Sequence, residues 1–263
     1  MKLGIIGLGV VGSAYNYGLK KIGYKTVVHD IKLNTKIDDL IDAKLLFISV
    51  STPSKKNGDC DVSKINNVLR DLIKINYKGY VVIVSTLIPG TTDKFIKEYK
   101  KLKILNVPEL LRERHAKKDF LKPKVIVIGT KNKKYFNDVS KIYKKLAANV
   151  IMMKPTEAEI FKYYNNCYAS LRVMFANIIY ELCKKKKSDY KLIKNSYIKT
   201  GKAVDMYLDV DANLRGYGGV CLPKDTIALA NLLKKLNLNF DLIKSIHNDN
   251  QKIKTTVFKG MRL

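Results

Sequence analysis

Between Lys2 and Met153, short apolar runs alternate with amphipathic stretches, and this alternation limits the fold more than any other feature. The runs are Lys2–Ile6, Lys25–His29, Leu45–Val50, Tyr80–Ser85, Ile104–Val107, Val125–Ile128 and Val150–Met153. They are too short for helices and apolar on both sides, as strands covered on both faces are. Val10–Lys21, Ser63–Ile75, Thr92–Lys100 and Lys134–Leu146 lie between them and carry a helical period. Parallel strands need crossover connections, so strand and helix in strict alternation predict an α/β fold with a doubly wound parallel sheet.

After Pro155 the pattern changes. Thr156 to Lys187 reads as one long helix, with Thr156 and Glu159 spaced as a capping box at its start. Ile160, Tyr163, Tyr164, Cys167, Leu171, Met174, Phe175 and Ile178 keep its apolar period, and lysines crowd its end, where they suit the helix dipole. Further helices are expected at Tyr190–Lys199, Lys224–Leu236 and Phe240–Lys254. The chain therefore divides into an α/β domain over residues 1–154 and an all-helical domain over 155–263.

Gly7-Leu8-Gly9-Val10-Val11-Gly12 has the GxGxxG spacing, follows the first expected strand and opens the first expected helix. Asp30 ends the second strand, at the distance expected for a ribose-binding acid. Gly7 serves the tight turn, Gly9 the approach of a pyrophosphate, and Gly12 the packing of the helix. The diphosphate would rest on the helix N-terminus, against Val10 and Val11. Asp30 would bind ribose hydroxyls and repel a 2′-phosphate, which favours NAD over NADP. The α/β half thus reads as a Rossmann-type dinucleotide-binding domain.

Near the end stands Arg215-Gly-Tyr-Gly-Gly-Val-Cys-Leu-Pro-Lys-Asp-Thr226. Gly216, Gly218 and Gly219 leave room for something close to the backbone. Pro223 is expected to open a helix, with Cys221 just ahead of its free N–H groups. Those groups and Lys224 would favour a thiolate. The plain alternative is a small buried hydrophobe before a helix. The other cysteines, Cys60, Cys167 and Cys183, are far apart, with no histidine cluster beside them, so neither a metal site nor a disulfide framework is expected. Cys167 and Cys183 fall on the long helix as core residues, and Cys60 sits in a polar loop with no assigned role.

The net charge is +27, from 50 Lys and Arg against 23 acidic residues. A nucleic-acid partner is not expected, because the lysines are spread from end to end. Aromatic residues do not interleave with the one dense block, Lys184 to Lys187. No apolar run reaches the length of a membrane span, and the opening run ends at Gly7 without a cleavage signature. A cytoplasmic protein with no membrane partner is the expectation.

Further stretches line up in order: Ser49-Val50-Ser51-Thr52-Pro53, Ser85-Thr86-Leu87-Ile88-Pro89-Gly90-Thr91, Val107-Pro108-Glu109-Leu110-Leu111-Arg112-Glu113, Ala158-Glu159-Ile160-Phe161-Lys162 with Asn165-Asn166, and Gly218 to Thr226. Together they resemble the UDP-glucose/GDP-mannose dehydrogenase family, most closely its UDP-glucose 6-dehydrogenase branch, over nearly the whole chain. The resemblance implies oxidation of a nucleotide-sugar primary alcohol to the acid with NAD, through a cysteine thiohemiacetal and thioester. It implies Cys221 as nucleophile, Lys162 and Asn166 as stabilisers of the oxyanion, and Asp225 and Thr86 as holders of water. Glu109 and Glu113 become the carboxylates that contact the sugar or assist hydrolysis. Thr52, Thr86 and Lys224 join the glycine loop and Asp30 in holding the cofactor. It also implies a homodimer and a UDP-linked substrate.

The chain departs from the family pattern in places. The family usually continues into another Rossmann-like domain that holds much of the substrate nucleotide, whereas this sequence stops at Leu263. That implies a member without the C-terminal domain, or one served by a partner that supplies it. Only residues 31–44 separate Asp30 from the next strand, where the family has a longer insertion. The family's substrate arginine has no clear match; Lys202 or Arg215 stands near its place. Arg114 and Ser51 replace a small residue and a glycine. Singly, the site residues have plain readings: Lys162 as a solvated charge, Asn166 as a helix-surface residue, Asp225 as a helix cap, and Glu109 with Glu113 as one exposed helical face. Two rival functions stay open. One is a two-electron hydroxyacid-type dehydrogenase, which needs no cysteine. The other is a non-catalytic basic binding protein derived from the enzyme.

Overall fold

The computed structural model describes residues 1–55, 58–146 and 149–257. Its described residues form two units, the first of residues 1–55, 60–146 and 149–162, the second of 58–59 and 163–257.

The first unit is built on a seven-stranded sheet. In chain order it contains β1 (Lys2–Ile6), α1 (Val10–Lys21), β2 (Lys25–His29), β3 (Leu45–Ile48), α2 (Ser63–Lys74), β4 (Tyr80–Ile83), α3 (Thr91–Glu98), β5 (Lys103–Asn106), α4 (Ala116–Leu121), β6 (Val125–Gly129), α5 (Lys133–Lys144) and β7 (Asn149–Met153). The strand order is β2-β1-β3-β4-β5-β6-β7. Alternate residues of the strands feed two cores. Leu3, Ile5, Leu45, Phe47, Val82 and Leu105 face Ala14, Tyr15 and Leu19 of α1, Phe120 of α4, and Val139, Ile142 and Tyr143 of α5. Ile6, Leu46, Ile48, Val81, Ile83 and Ile104 face Ile65, Leu69 and Leu72 of α2 and Phe95 of α3. Burial on both faces is why the strands read as continuous apolar runs.

The sheet is not wholly parallel. β6 runs antiparallel to β5, and their register is the single pair Asn106↔Gly129. The connection holds α4, a helix the sequence reading missed, whose Phe120 ring packs edge-on to Tyr15 of α1 at 4.7 Å. The chain therefore enters β6 at the end where it left β5. β6 and β7 are parallel to each other, with α5 as their crossover.

From Lys154 the chain enters α6 (Pro155–Lys185). The second unit also contains α7 (Tyr190–Lys199), β8 (Gly216–Tyr217), α8 (Cys221–Lys235), α9 (Leu242–Gln251) and β9 (Thr255–Thr256). The inner stripe of α6 supplies small cores: Tyr163 and Cys167 with Ala228 of α8, Met174 with Tyr217 and Ile246, and Ala176 and Cys183 with Tyr190. Tyr164, Tyr168, Phe175, Ile178 and Leu182 form a second, outer stripe that is exposed. The expected single stripe is thus two.

The start of α6 corrects another expectation. Thr156 and Glu159 do not form its capping box. The Lys154 amide donates to Glu157 at 2.8 Å instead, and Glu159 turns to a different helix. Among the described residues no helix is long and apolar enough to cross a membrane, and no His, Cys, Asp and Glu group could hold a metal ion.

Candidate active site

The glycine loop follows β1. The Gly7 amide donates to the His29 carbonyl at 2.8 Å, and Gly7 has φ +89°, a conformation that L side chains rarely adopt. A Cβ on Gly12 would stand 1.8 Å from the Gly7 carbonyl oxygen, so only glycine lets α1 come this close. Gly9 has nothing within 4 Å of where a Cβ would stand. The first turn of α1 carries no acidic residue, which leaves its positive end for an anion. Val10 and Val11 flank it, half-buried. The Leu8 amide donates to Asp30 Oδ2 at 2.6 Å, and the Lys32 amide to Oδ1 at 2.9 Å. These bonds hold the Asp30 carboxyl below its ordinary value. Each oxygen keeps acceptor capacity for a ribose diol. Loop, helix end and carboxylate together fit a dinucleotide.

The loops after β3 and β4 stand beside each other in the same unit. Ser49 Oγ donates to the Gly7 carbonyl at 2.7 Å, and Ser85 Oγ to the Val50 carbonyl at 2.7 Å. Cys60 is buried, contrary to the polar-loop expectation. Its thiol lies 3.8 Å from the Thr52 carbonyl and 3.5 Å from the Thr86 carbonyl, bridging the two loops that carry expected site residues. Thr52 is buried and Thr86 half-buried.

Glu159 fixes the next segment. It is 2% exposed. It accepts from the amides of Gly90 (2.6 Å) and Thr92 (2.8 Å) and from Thr92 Oγ1 (2.7 Å), binding the N-terminus of α3 from outside. Burial raises its carboxyl above the ordinary range, against the pull of those donors. Sequence spacing suggested a local cap; only the fold reveals that Glu159 anchors the loop after Thr86.

Lys162 is 8% exposed, so it is no solvated charge, and its Nζ donates to the Glu109 carbonyl at 2.5 Å. Glu109 and Glu113 do not share a helical face. Glu109 lies after β5 outside any helix or strand, and Glu113 opens a 3-10 turn, Glu113–His115. Arg112 between them grips Asp119 with Nε at 2.9 Å and Nη2 at 2.7 Å.

In the second unit, Cys221 is the first residue of α8 rather than the residue before it, and Pro223 stands inside the first turn. Proline is tolerated there because early helix N–H groups have no intrahelical partner. Cys221 is the exposed member of the four cysteines; the others are buried. Burial, and then Asp225, push the Cys167 thiol up to about 12. The glycines ahead of Cys221 do not loosen the chain. A Cβ on Gly216 would stand 2.6 Å from Asn250 Oδ1, and one on Gly218 would stand 2.5 Å from Thr255 Cγ2, because β8 pairs with β9.

Asp225 is fully buried and is no helix cap. It accepts from Asn166 Nδ2 at 2.6 Å and from Lys224 Nζ at 2.6 Å. Asn166 is 5% exposed, so it is no surface residue either. Thr226 Oγ1 continues the network to Ser170 Oγ at 2.9 Å, and Ser170 Oγ donates to the Asn166 carbonyl at 3.1 Å. Arg215 donates to Asn177 at 2.8 Å and Glu181 at 2.5 Å and stacks on Tyr180 at 5.0 Å. It is committed to α6, while Lys202 lies exposed in a turn.

The UDP-glucose/GDP-mannose dehydrogenase family, NAD binding domain, matches residues 32–147, and the central domain of the same family matches residues 156–252. The matched stretch begins after Asp30, so the glycine loop rests on its own geometry. A UDP-glucose 6-dehydrogenase of Rickettsia bellii (strain RML369-C) is 29% identical over an alignment of 222 residues that covers 81% of this chain and 50% of that protein. A UDP-glucose dehydrogenase from the hyperthermophilic archaeon Pyrobaculum islandicum superposes with a TM-score of 0.88 at 25% identity, across 95% of this chain and 68% of that one. GDP-mannose dehydrogenase from Pseudomonas aeruginosa, solved as a ternary complex, gives 0.71 at 27% identity, across 96% of this chain and 69% of that one. The chain thus spans between 50% and 69% of the length of these relatives. With both domains matched in order, it belongs to the UDP-glucose/GDP-mannose dehydrogenase family.

Proposed function

We propose that this protein oxidises the primary alcohol of a UDP-glucose-like nucleotide sugar to the uronic acid. The observation that carries the reading is the setting of Cys221. It is an exposed thiol at the first position of α8, one helical turn before a buried Asp225 already held by Asn166 and Lys224.

NAD would be held by the glycine loop, Asp30, Thr52 and Thr86, with Lys224 as a further contact, and would supply the hydride acceptor for each oxidation. In the first oxidation the alcohol carbon gives up a hydride and its hydroxyl a proton, leaving an aldehyde. The Cys221 sulfur adds to the carbonyl carbon, and the oxygen takes a proton to give a thiohemiacetal. A second hydride and the hydroxyl proton then leave, giving a thioester. Water adds, the C–S bond breaks, and the acid departs with the thiol restored. Lys162 and Asn166 stabilise the oxygen that becomes negative. Asp225 and Thr86 hold the water, and Glu109 and Glu113 serve the sugar and the hydrolysis.

A second copy of the chain is the partner that fits the outer stripe of α6. Tyr164 (69% exposed), Phe175 (57%) and Leu182 (53%) are large apolar residues repeated along one helix, and Leu192 of α7 adds to them. A twofold contact buries such a stripe against itself.

The test is NADH formed per limiting UDP-glucose, then per other nucleotide sugars. Two NADH per sugar support the reading. One supports a simple two-electron dehydrogenase. None, with NAD bound, supports a non-catalytic protein.

A further inference from the structure

Glu159 is a buried acid to which the proposed reaction gives no role. It lies on α6 between Thr156 and Lys162, three residues from each, so the three side chains fall along one side of the first two turns. Within the first unit each fastens a different piece of chain. Thr156 Oγ1 donates to Asp93 of α3 at 2.9 Å. Glu159 takes the Gly90 and Thr92 amides at the head of α3. Lys162 donates to the Glu109 carbonyl in the loop after β5. Ala158, on the same turns, packs where β6 ends: a Cβ on Gly129 would stand 2.8 Å from the Ala158 Cβ.

The bonds to Glu159 suit an ionised carboxylate. Gly90 N donates to Oε2, and Thr92 N and Oγ1 both donate to Oε1, so each oxygen is met by a main-chain N–H. The positive end of α3 offsets the cost of burying that charge.

A helix is usually capped by a Ser, Thr, Asp or Asn at its own N-cap. Here that position is Gly90, at φ +95° and without a side chain, and the cap comes from another helix 67 residues later. A borrowed cap ties together two pieces that a local one would leave independent. One is the loop after β4, which carries Thr86 and ends at Gly90. The other is the start of α6, which carries Lys162.

We infer that Glu159 is a positioning residue that holds the start of α6 against the loop after β4, and so fixes where the Lys162 ammonium and the Thr86 hydroxyl stand. The inference rests on the reading above for what Lys162, Thr86 and Glu109 do in the reaction. A group that stabilises an oxyanion and a hydroxyl that holds water act only from the right place. A shift of about 1 Å can cost about a hundredfold in rate.

Glu159→Gln keeps the shape and removes the charge. Whichever way its amide turns, the nitrogen meets a donor, at Gly90 or at Thr92, so the tie is broken at one end. Thr92→Val is the gentler variant, because it removes one hydroxyl and leaves both main-chain bonds. The first readout is hydrogen exchange, followed amide by amide in the full chain. In Glu159→Gln the Gly90 and Thr92 amides should exchange about tenfold faster. The Leu110 amide shares a peptide plane with the Glu109 carbonyl that Lys162 holds, so it should quicken as well, by about threefold. A plain cap of α3 would leave Leu110 unmoved. The second readout is turnover of a nucleotide sugar with NAD. In Glu159→Gln kcat should fall about tenfold to a hundredfold, and by less in Thr92→Val, while KM for NAD stays in place.

Unmoved exchange at Leu110 overturns the inference and leaves Glu159 at most a cap. Exchange that quickens at Leu110 while kcat holds overturns the link to catalysis. If Glu159→Gln does not fold, Thr92→Val takes the same two decisions. A wild-type protein that oxidises no nucleotide sugar sinks the reaction, and exchange at Leu110 still decides whether Glu159 positions Lys162.

Discussion

The Asn166 side-chain amide donates to the Asp225 carboxylate at 2.6 Å, joining the long helix α6 to α8 inside the second unit. Asp225 is fully buried, so its charge depends on this bond and on Lys224. Asn166→Ala leaves a buried carboxylate short of a donor. It should cost about 2–3 kcal/mol in urea unfolding, with Asn166→Asp costing more through carboxylate repulsion. An Asn166→Ala protein as stable as the wild type would show that the bond is incidental.

Only one thiol per chain should react with Ellman's reagent in the folded protein. Cys60, Cys167 and Cys183 are buried, while Cys221 is exposed. Cys221→Ala should abolish the fast phase and leave the three others to react on unfolding. A second fast thiol would mean that the loops bridged by Cys60 open readily. Cys221→Ser should also block acid formation while leaving some of the first oxidation, read as NADH without uronic acid.

Asp30 ties the dinucleotide loop to β2, and its bonds to Leu8 and Lys32 depress its carboxyl. A depressed carboxyl contributes stability above its unfolded value and loses it as pH falls through its folded value. Wild type should therefore lose stability relative to Asp30→Asn from about pH 4 downward. Thermal melts of both proteins at a series of pH values measure this. Asp30→Ala should also weaken NAD binding about tenfold and reduce the preference against NADP, as titration calorimetry would read.

Glu159→Ala would free three donors at the start of α3. Stability should drop by about 2–4 kcal/mol, and the Gly90 and Thr92 amides should exchange with deuterium much faster than before. Unchanged exchange at those amides would mean that the loop holds itself.

Much of the first unit was legible because burial on both faces writes itself into the strands. Lys2–Ile6, Lys25–His29 and Val10–Lys21 stand where the periodicity put them. Direction was not legible: Val125–Ile128 reads alike from either end, so the reversal of β6 is invisible without the path of α4. Spacing misled at Glu159, since an acid three residues after a threonine looks the same whether it caps its own helix or another. Cys60 lies between Asp59 and Asp61, and its burial comes only from loops closing over it. The motif pointed to Glu109, but nothing local shows that its carbonyl receives the Lys162 ammonium from the start of α6.

The single pair Asn106↔Gly129 leaves the main-chain ladder with a seam between β5 and β6. Side chains of α5 stitch that seam. Tyr135 packs on Tyr80 at 5.3 Å, Asp138 accepts from the Tyr80 hydroxyl at 2.6 Å, and Tyr143 packs on Phe47 at 6.3 Å. The β6–α5–β7 block is thus fastened by rings and hydroxyls more than by backbone, which makes it the natural piece to detach first as one foldon.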